Sequence, residues 1–381
     1  MALPMGNTAI VGIGQTEFSK NSGRSELQLA AEAVRSALAD AGLRPSDVDG
    51  MVTMTADHND ELALIRSVGI ERLRWTSRTP FGGGGACATI EHAVAAVTSG
   101  AADVVAVFRA FNERSGTRFG QPIGRSVTPD TNWHLPFGLD TPAKMYALWF
   151  QRYMNRFGLT NADFGRYTVV ARRHAANNPN AWFYQRPITL DDHQNSRWIV
   201  EPILRLLDCC QESDGGVAYV VTSAERAADL RQPVVAIEGV TQGEVINGDV
   251  LFNYYDPDIS RFSQAEYVAE QLWKSTGFGP ADMDAAMIYE NFSPVVFYQL
   301  EAFGFCGHGE AKDFIVDGNI ELGGKLPVNT HGGLLGEAYI HGFNNILESV
   351  RQIRGTAVNQ VDGAEHVLCS AGRSAAILGR G

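Results

Sequence analysis

Short apolar runs rich in β-branched residues alternate along the chain with longer stretches of helical periodicity, the pattern of an α/β fold. Residues 8–14 (Thr-Ala-Ile-Val-Gly-Ile-Gly) predict a strand buried on both faces. A helix follows. Ser25 and Gln28 have capping-box spacing, Leu27, Ala31, Val34, Leu38 and Ala41 share one helical face, and Gly42 is placed to stop it. Residues 51–55 predict the next strand, residues 87–99 a helix stopped by Gly100, and residues 104–108 (Val-Val-Ala-Val-Phe) another strand. From Asn112 to Arg197 the pattern changes to one rich in Trp, Tyr, Phe, Arg, His, Asn and Pro, with helical patches at 142–157 and 163–176. This region reads as an excursion from the core, expected to form a substrate lid or a partner surface. The core resumes at 213–221, continues through a short helix at 225–230, and starts a fresh strand at 233–239.

An internal repeat divides the chain. Residues 42–52 and 277–287 share Gly42/Gly277, Pro45/Pro280, Asp47/Asp282 and Asp49/Asp284 at identical spacing, each between an amphipathic helix and a strand. A looser echo joins Gly100 to Gly363, again just before a strand and in the same order. Two echoes in register imply a duplicated βαβαβ-type unit: one half at 1–230, with the inserted region 112–197, and one at 231–381, related by a pseudo-twofold axis. The site is then expected where helix N-termini of both halves meet.

Composition narrows the function. The chain has 381 residues, 45% of them hydrophobic and 19% charged, and a formal net charge of −12, which argues against nucleic acid. Neither an apolar run long enough to span a bilayer nor a signal peptide is evident, so a cytoplasmic protein is expected. The five cysteines, Cys87, Cys209, Cys210, Cys306 and Cys369, lack CxxC pairing and imply neither a zinc site nor a disulfide frame.

Two glycine-rich stretches carry the candidate chemistry. Residues 81–86 (Phe-Gly-Gly-Gly-Gly-Ala) open a helix without dinucleotide or P-loop spacing, which favours close approach of backbone to a substrate. Residues 329–342 hold His331, Glu337, Tyr339 and His341 among glycines. With the repeat, these stretches resemble the thiolase superfamily over essentially the whole chain. Asn329, Gly332, Gly333 and Gly342 match the thiolase motif, with Tyr339 in place of its catalytic histidine. Residues 288–293 (Ile-Tyr-Glu-Asn-Phe-Ser) resemble the segment that binds the acyl oxygen; Phe292 matches, and Tyr289 stands where Asn or His is expected. Counting back from Ser99-Gly100, the nucleophilic cysteine position falls at Gly83, about one turn before Cys87.

The resemblance implies a thiolase fold, two halves in five layers (αβαβα). It is nearest to the thiolase-like lipid-transfer proteins of actinobacterial steroid breakdown, which cleave a side chain by retro-aldol reaction. That family implies a steroid β-hydroxyacyl-CoA substrate, cut to a 17-ketosteroid and propionyl-CoA without a covalent cysteine intermediate. Tyr289 and Tyr339 are then the proton-transfer pair, one as base and one as acid. His331, His341 and Asn291 are expected to support them, and the amides of Gly83, Gly84, Gly85, Gly332 and Gly333 to hold the enolate. Glu290 and Glu337 are expected to orient neighbours or cap helices, and His58, His134 and His308 to be structural. No cofactor is implied beyond the coenzyme A of the substrate, and no metal. Related proteins form homodimers and add a small OB-fold and zinc-ribbon protein, giving a heterotetramer. A non-catalytic acyl-CoA or lipid-binding subunit is the alternative, and a thiolase using Cys87 or Cys369 is a third reading.

Overall fold

The computed structural model describes residues 6–80, 82–122, 132, 134–248 and 255–381; Phe81, and residues 123–131 and 133 of the expected insertion, lie outside the described residues. The chain opens with β1 (Thr8–Gln15), α1 (Glu26–Ala41), β2 (Gly50–Met54), α2 (Glu61–Val68), β3 (Trp75–Thr79), α3 (Ala88–Thr98) and β4 (Val104–Asn112). Next come α4 (Pro142–Phe157), α5 (Asn161–Asn177), α6 (Leu190–Asn195), β5 (Trp198–Val200), β6 (Leu204–Arg205), β7 (Asp214–Ser223) and α7 (Ala224–Ala227). The remainder holds β8 (Val235–Gln242), α8 (Ser263–Thr276), β9 (Ala285–Ile288), α9 (Pro294–Ala302), α10 (Ala311–Val316), α11 (Gly333–Gly336), α12 (Phe343–Arg354), β10 (His366–Ser370) and β11 (Ser374–Arg380).

Among the described residues nine strands form one sheet in the order β3-β2-β4-β7-β1-β8-β11-β10-β9. Read outward from the antiparallel β1–β8 pair, the order is the same on both sides: β7 and β11, then β4 and β10, then β2 and β9. The counterpart of β3 is reduced to a single parallel bridge between Val328 and Ala286. The repeated residues do the same work twice. Gly42 and Gly277 cap α1 and α8 in the left-handed region, at φ 77° and 78°, where a side chain would be strained. One carboxylate oxygen of Asp49 accepts from the amides of Asp103 and Val104, at 2.8 and 2.9 Å. Asp284 accepts from Glu365 and His366 at the same two distances, so each aspartate fixes the entry of the strand beside it.

The layers follow from which faces are apolar. Helix α3 packs on β2, β4 and β7 and also on β8 and β11, while α12 packs on β9, β10 and β11 and also on β1 and β7, so both lie between the halves of the sheet. Their shared core includes Ile90, Val94, Tyr219, Met287, Phe343 and Leu347. Helices α1 and α2 cover one outer face. The other is covered by α8 and α9 together with α4 and α5.

This last point corrects the expected lid. Trp149, Phe150, Tyr153, Phe164 and Tyr167 of the insertion are buried in one cluster with Phe297, Tyr298 and Val268. At on the order of 2 kcal/mol for each fully buried large side chain, α4 and α5 are core elements and not a cover that lifts away. The aromatic richness of this stretch marks a second outer core. No helix among the described residues is long and apolar enough to cross a membrane.

Candidate active site

Two turns meet beneath the N-terminal end of α3. The first leaves β9 at Ile288. Tyr289 donates its amide to Ser370 O at 2.7 Å and accepts at its carbonyl from Gln299 Nε2 at 2.7 Å, while Ser370 Oγ donates to Gln299 Oε1 at 2.6 Å. Beyond it, Ser293 Oγ and His193 Nε2 both bond Asp208 Oδ1, at 2.6 and 2.8 Å, and Asn161 Nδ2 donates to Asp208 Oδ2 at 2.7 Å. The Ser-His-Asp set is no hydrolytic triad, because the histidine and serine share the aspartate instead of meeting each other. It staples the turn in place.

The second turn is tied to the first by Asn329. Its Oδ1 accepts from Ile288 N at 2.7 Å, and its Nδ2 donates to Ile288 O at 2.8 Å and to the Tyr167 hydroxyl at 2.7 Å. Gly332 donates its amide to Asn329 O at 2.8 Å, and a Cβ on Gly332 would come within 2.5 Å of Ala175 Cβ. A Cβ on Gly333 would overlap Glu290 Oε1. The expected enolate hole at Gly332 is thereby corrected: its amide is spent inside the turn, and the glycine pair is required by close packing.

This frame sets two phenols against each other. The hydroxyls of Tyr289 and Tyr339 are 2.8 Å apart, with ring centroids at 6.2 Å and planes inclined by 57°. Each residue is 8% or less exposed. Gly83 faces them: a Cβ there would lie 2.5 Å from Tyr289 Cζ, so the ring fills the space that a nucleophilic side chain would need. Gly84 lies against Arg373, which pairs with Glu244 at 2.6 Å, and Gly84 O accepts from Ser374 Oγ at 2.8 Å. Cys87 does not reach the phenols. It is fully buried, with its sulfur 3.6 Å from that of Cys369.

The electrostatics limit what each group can do. Burial, reinforced by the Tyr146 phenol and the Cys210 thiol, pushes the Tyr289 hydroxyl well above the usual tyrosine range, only partly offset by its bond to Tyr339. Burial also raises Tyr339, with Tyr289, Cys210 and Glu113 adding to the effect. Both are neutral phenols at rest. The two histidines expected to support the pair are neutral. His341 stands well below the usual histidine range because it is buried and faces Arg109. His331 is lowered to about 4 by burial, and its ring is directed to Asn345 Oδ1 at 3.2 Å and Glu337 Oε2 at 3.8 Å. Asn291 accepts from Cys210 N at 2.9 Å, and its side chain lies against the Tyr146 hydroxyl.

Four further groups lie beside the pair or beside its neighbours. Tyr146 arrives from α4. Glu113 is buried, accepts from Ser213 N at 3.4 Å, and is raised to about 9 by burial and by Glu212. Lys20 is lowered to about 8 by burial and donates to Gln211 Oε1 at 2.9 Å. Arg109 is wholly buried in β4. Charged residues inside or just beyond an apolar strand were the available signal for Arg109 and Glu113; Tyr146 and Lys20 had none.

A pH dependence of stability follows. Glu290, which accepts from the Tyr167 hydroxyl at 3.0 Å and Leu334 N at 2.8 Å, is raised by burial from 4.5 to about 8, as Glu113 is to about 9. Their stabilisation is fully present below pH 4.5, declines above it, and is gone once pH has risen through 8 to 9. His174 and His331, lowered by burial from 6.5 to about 4, act oppositely: theirs is present above pH 6.5 and lost as pH falls through 4. The melting temperature is expected to fall as pH rises from about 6.5 to 8, where both carboxyls are still titrating and both histidines are already neutral. Glu290→Gln, which keeps the carbonyl acceptor, should make that alkaline fall shallower; an unchanged slope would remove Glu290 from the account.

Comparisons place this geometry among known proteins. Residues 253–376 match the thiolase C-terminal domain-like family. The chain is 57% identical over 373 residues to the 17-hydroxy-3-oxo-4-pregnene-20-carboxyl-CoA lyase of Mycobacterium tuberculosis, covering 96% of each chain. It is 56% identical over 378 residues to the steroid side-chain-cleaving aldolase of Thermomonospora curvata, covering 98% of this chain and 96% of that protein. Among solved structures, the Ltp2-ChsH2(DUF35) aldolase matches with a TM-score of 0.94 at 55% identity, over 100% of this chain and 99% of the other. Human mitochondrial 3-ketoacyl-CoA thiolase matches over 100% of both chains with a TM-score of 0.70 at 15% identity, a likeness of fold alone.

Proposed function

The chain belongs to the thiolase-fold family of steroid side-chain-cleaving aldolases, and on that premise we propose that it is a carbon–carbon lyase cutting a steroid 17-hydroxy-20-carboxyl-CoA thioester to a 17-ketosteroid and propionyl-CoA. The observation that carries the reading is the hydroxyl pair of Tyr289 and Tyr339 at 2.8 Å, packed against the glycine at the nucleophile position.

The reaction needs no net proton. Breaking the bond between the hydroxyl-bearing ring carbon and the α-carbon leaves its electron pair on the thioester enolate, while the hydroxyl proton is released as the ketone forms. That proton must reach the α-carbon. Two hydrogen-bonded phenols supply the path: one takes the hydroxyl proton as it hands its own to the other, which delivers a proton to the α-carbon. Neither has to hold a phenolate at rest, so their raised pKa values are compatible with the chemistry. Gly83 lies against Tyr289 and Gly84 against Arg373, and we assign to the amides of Gly83, Gly84 and Gly85 the contact with the enolate oxygen.

The decisive experiment incubates the protein with a 17-hydroxy-20-carboxyl-CoA steroid and analyses products by mass spectrometry. A ketosteroid and propionyl-CoA in equal amounts are expected; tight binding without products would establish the non-catalytic subunit instead. We also propose a cytoplasmic homodimer that takes up a small OB-fold and zinc-ribbon protein; the pairing with ChsH2(DUF35) in the name of the aldolase it resembles supports the presence of a partner chain. The assay is therefore run with and without such a partner.

The cysteines are dispensable in this scheme. Cys87 is buried and its thiol is pushed well up by its contact with Cys369 and by burial, the reverse of an activated nucleophile. Replacing Cys87 and Cys369 together by Ala is expected to leave turnover within several-fold of the parent, at a stability cost of roughly 1–3 kcal/mol. Acyl-CoA labelling of either cysteine would revive a thiolase mechanism.

A further inference from the structure

We propose that Arg109 is a positioning residue for the proton-transfer pair: its guanidinium fixes His341 as the tautomer carrying Nε2–H, and the ring so held sets the orientation of Tyr339. The inference rests on the lyase reading given above and adds the device that keeps the two phenols aligned.

Arg109 is a lone cation in an apolar strand, 0% exposed. Its Nη1 donates to Asp57 Oδ2 at 2.9 Å and to Ala110 O at 3.1 Å. Asp57 is equally buried and is itself held: Oδ2 accepts from Ala110 N at 3.0 Å, and Oδ1 from both nitrogens of Asn59 at 2.9 Å. The ion pair is therefore rigid. Arg109 Nε points the other way, to His341 Nδ1 at 3.0 Å. A guanidinium carries no acceptor and stays protonated, so His341 Nδ1 must present its lone pair and the ring proton sits on Nε2.

The ring is clamped on its faces as well. It stacks on Phe111 at 5.2 Å with planes 4° apart, and the Arg109 guanidinium covers the same phenylalanine at 4.1 Å. Phe119 lies 5.3 Å away. A further neighbour is Tyr339, which His341 meets edge-on at 5.0 Å and 67°. His341 adopts φ 51°, a conformation that costs a non-glycine residue on the order of 1 kcal/mol and persists where surroundings enforce it. A buried ion pair is a poor source of stability compared with apolar packing. Its use here is directional: it aims one N–H at one imidazole nitrogen.

The test has an arm that does not depend on turnover. In protein carrying ¹⁵N-labelled histidine, with the signals assigned by their loss in His341→Gln, His341 at neutral pH is expected to show an unprotonated Nδ1 and a protonated Nε2. A protonated Nδ1 would overturn the proposal whatever the activity. Arg109→Lys keeps the charge but not the fork, and the double variant Arg109→Met with Asp57→Asn removes both charges so that none is left buried alone. In whichever of these folds, the tautomer signature is expected to shift or average, and kcat to fall on the order of 10²-fold with KM unchanged. A folded variant with altered His341 signals and undiminished kcat would make Arg109 purely structural. Absence of steroid cleavage by the unaltered protein would instead strike the lyase reading and leave the tautomer result standing.

Discussion

Replacing either Tyr289 or Tyr339 by Phe is expected to lower turnover of the 17-hydroxy-20-carboxyl-CoA steroid by roughly 10²–10⁴-fold, the usual worth of one positioned proton-transfer group. The two hydroxyls are each other's partner at 2.8 Å, so removing one breaks the path and leaves the other unpaired in a buried site. The stability penalty should be about 1–3 kcal/mol, because a buried hydroxyl then lacks its bond. Substrate affinity should change little, since the rings remain. The effects should also be strongly non-additive: a relay already cut by one substitution loses little more from the second. Single-turnover rates of the two single variants and the double variant measure this. Near-parental turnover in either single variant would refute the relay.

Putting a thiol back at the nucleophile position is expected to destroy activity without creating a thiolase. A Cβ at Gly83 lies 2.5 Å from Tyr289 Cζ, so Gly83→Cys must displace the ring. Overpacking of this kind costs about 1–3 kcal/mol, and a shift of the phenol by about 1 Å costs on the order of 10²-fold in rate. Adding Tyr289→Asn should relieve the overlap and recover the lost stability while leaving the lyase dead. Melting temperatures of the two single variants and the double variant test the coupling, and simple additivity would mean that the glycine and the tyrosine do not share this space.

The chain's own pattern disclosed much of this site. The glycine, proline and aspartate repeat was readable because each residue acts within a few positions of itself: Gly42 and Gly277 end helices, and Asp49 and Asp284 bind strand-entry amides. Tyr289 and Tyr339 were readable because the turns carrying them keep the thiolase spacing. The roles of their neighbours were not. His331 and His341 lie ten residues apart, on either side of α11, yet one is turned to Asn345 and Glu337 and the other to Arg109 and Phe111. The aromatic insertion looked like a lid because periodicity reveals an apolar face but not what covers it.

The sequence by itself determined the α/β class and the doubled unit, which rest on interactions within a turn or a single element, and its likeness to the thiolases pointed to the missing nucleophile and the two tyrosines. Only the tertiary structure decided that the tyrosine hydroxyls, 50 residues apart in the chain, share one hydrogen bond. It also decided that Gly83 is empty because Tyr289 fills its space, and that Arg109 meets His341 across 232 residues. Such contacts are set by how the layers pack, and no local rule of spacing carries that information.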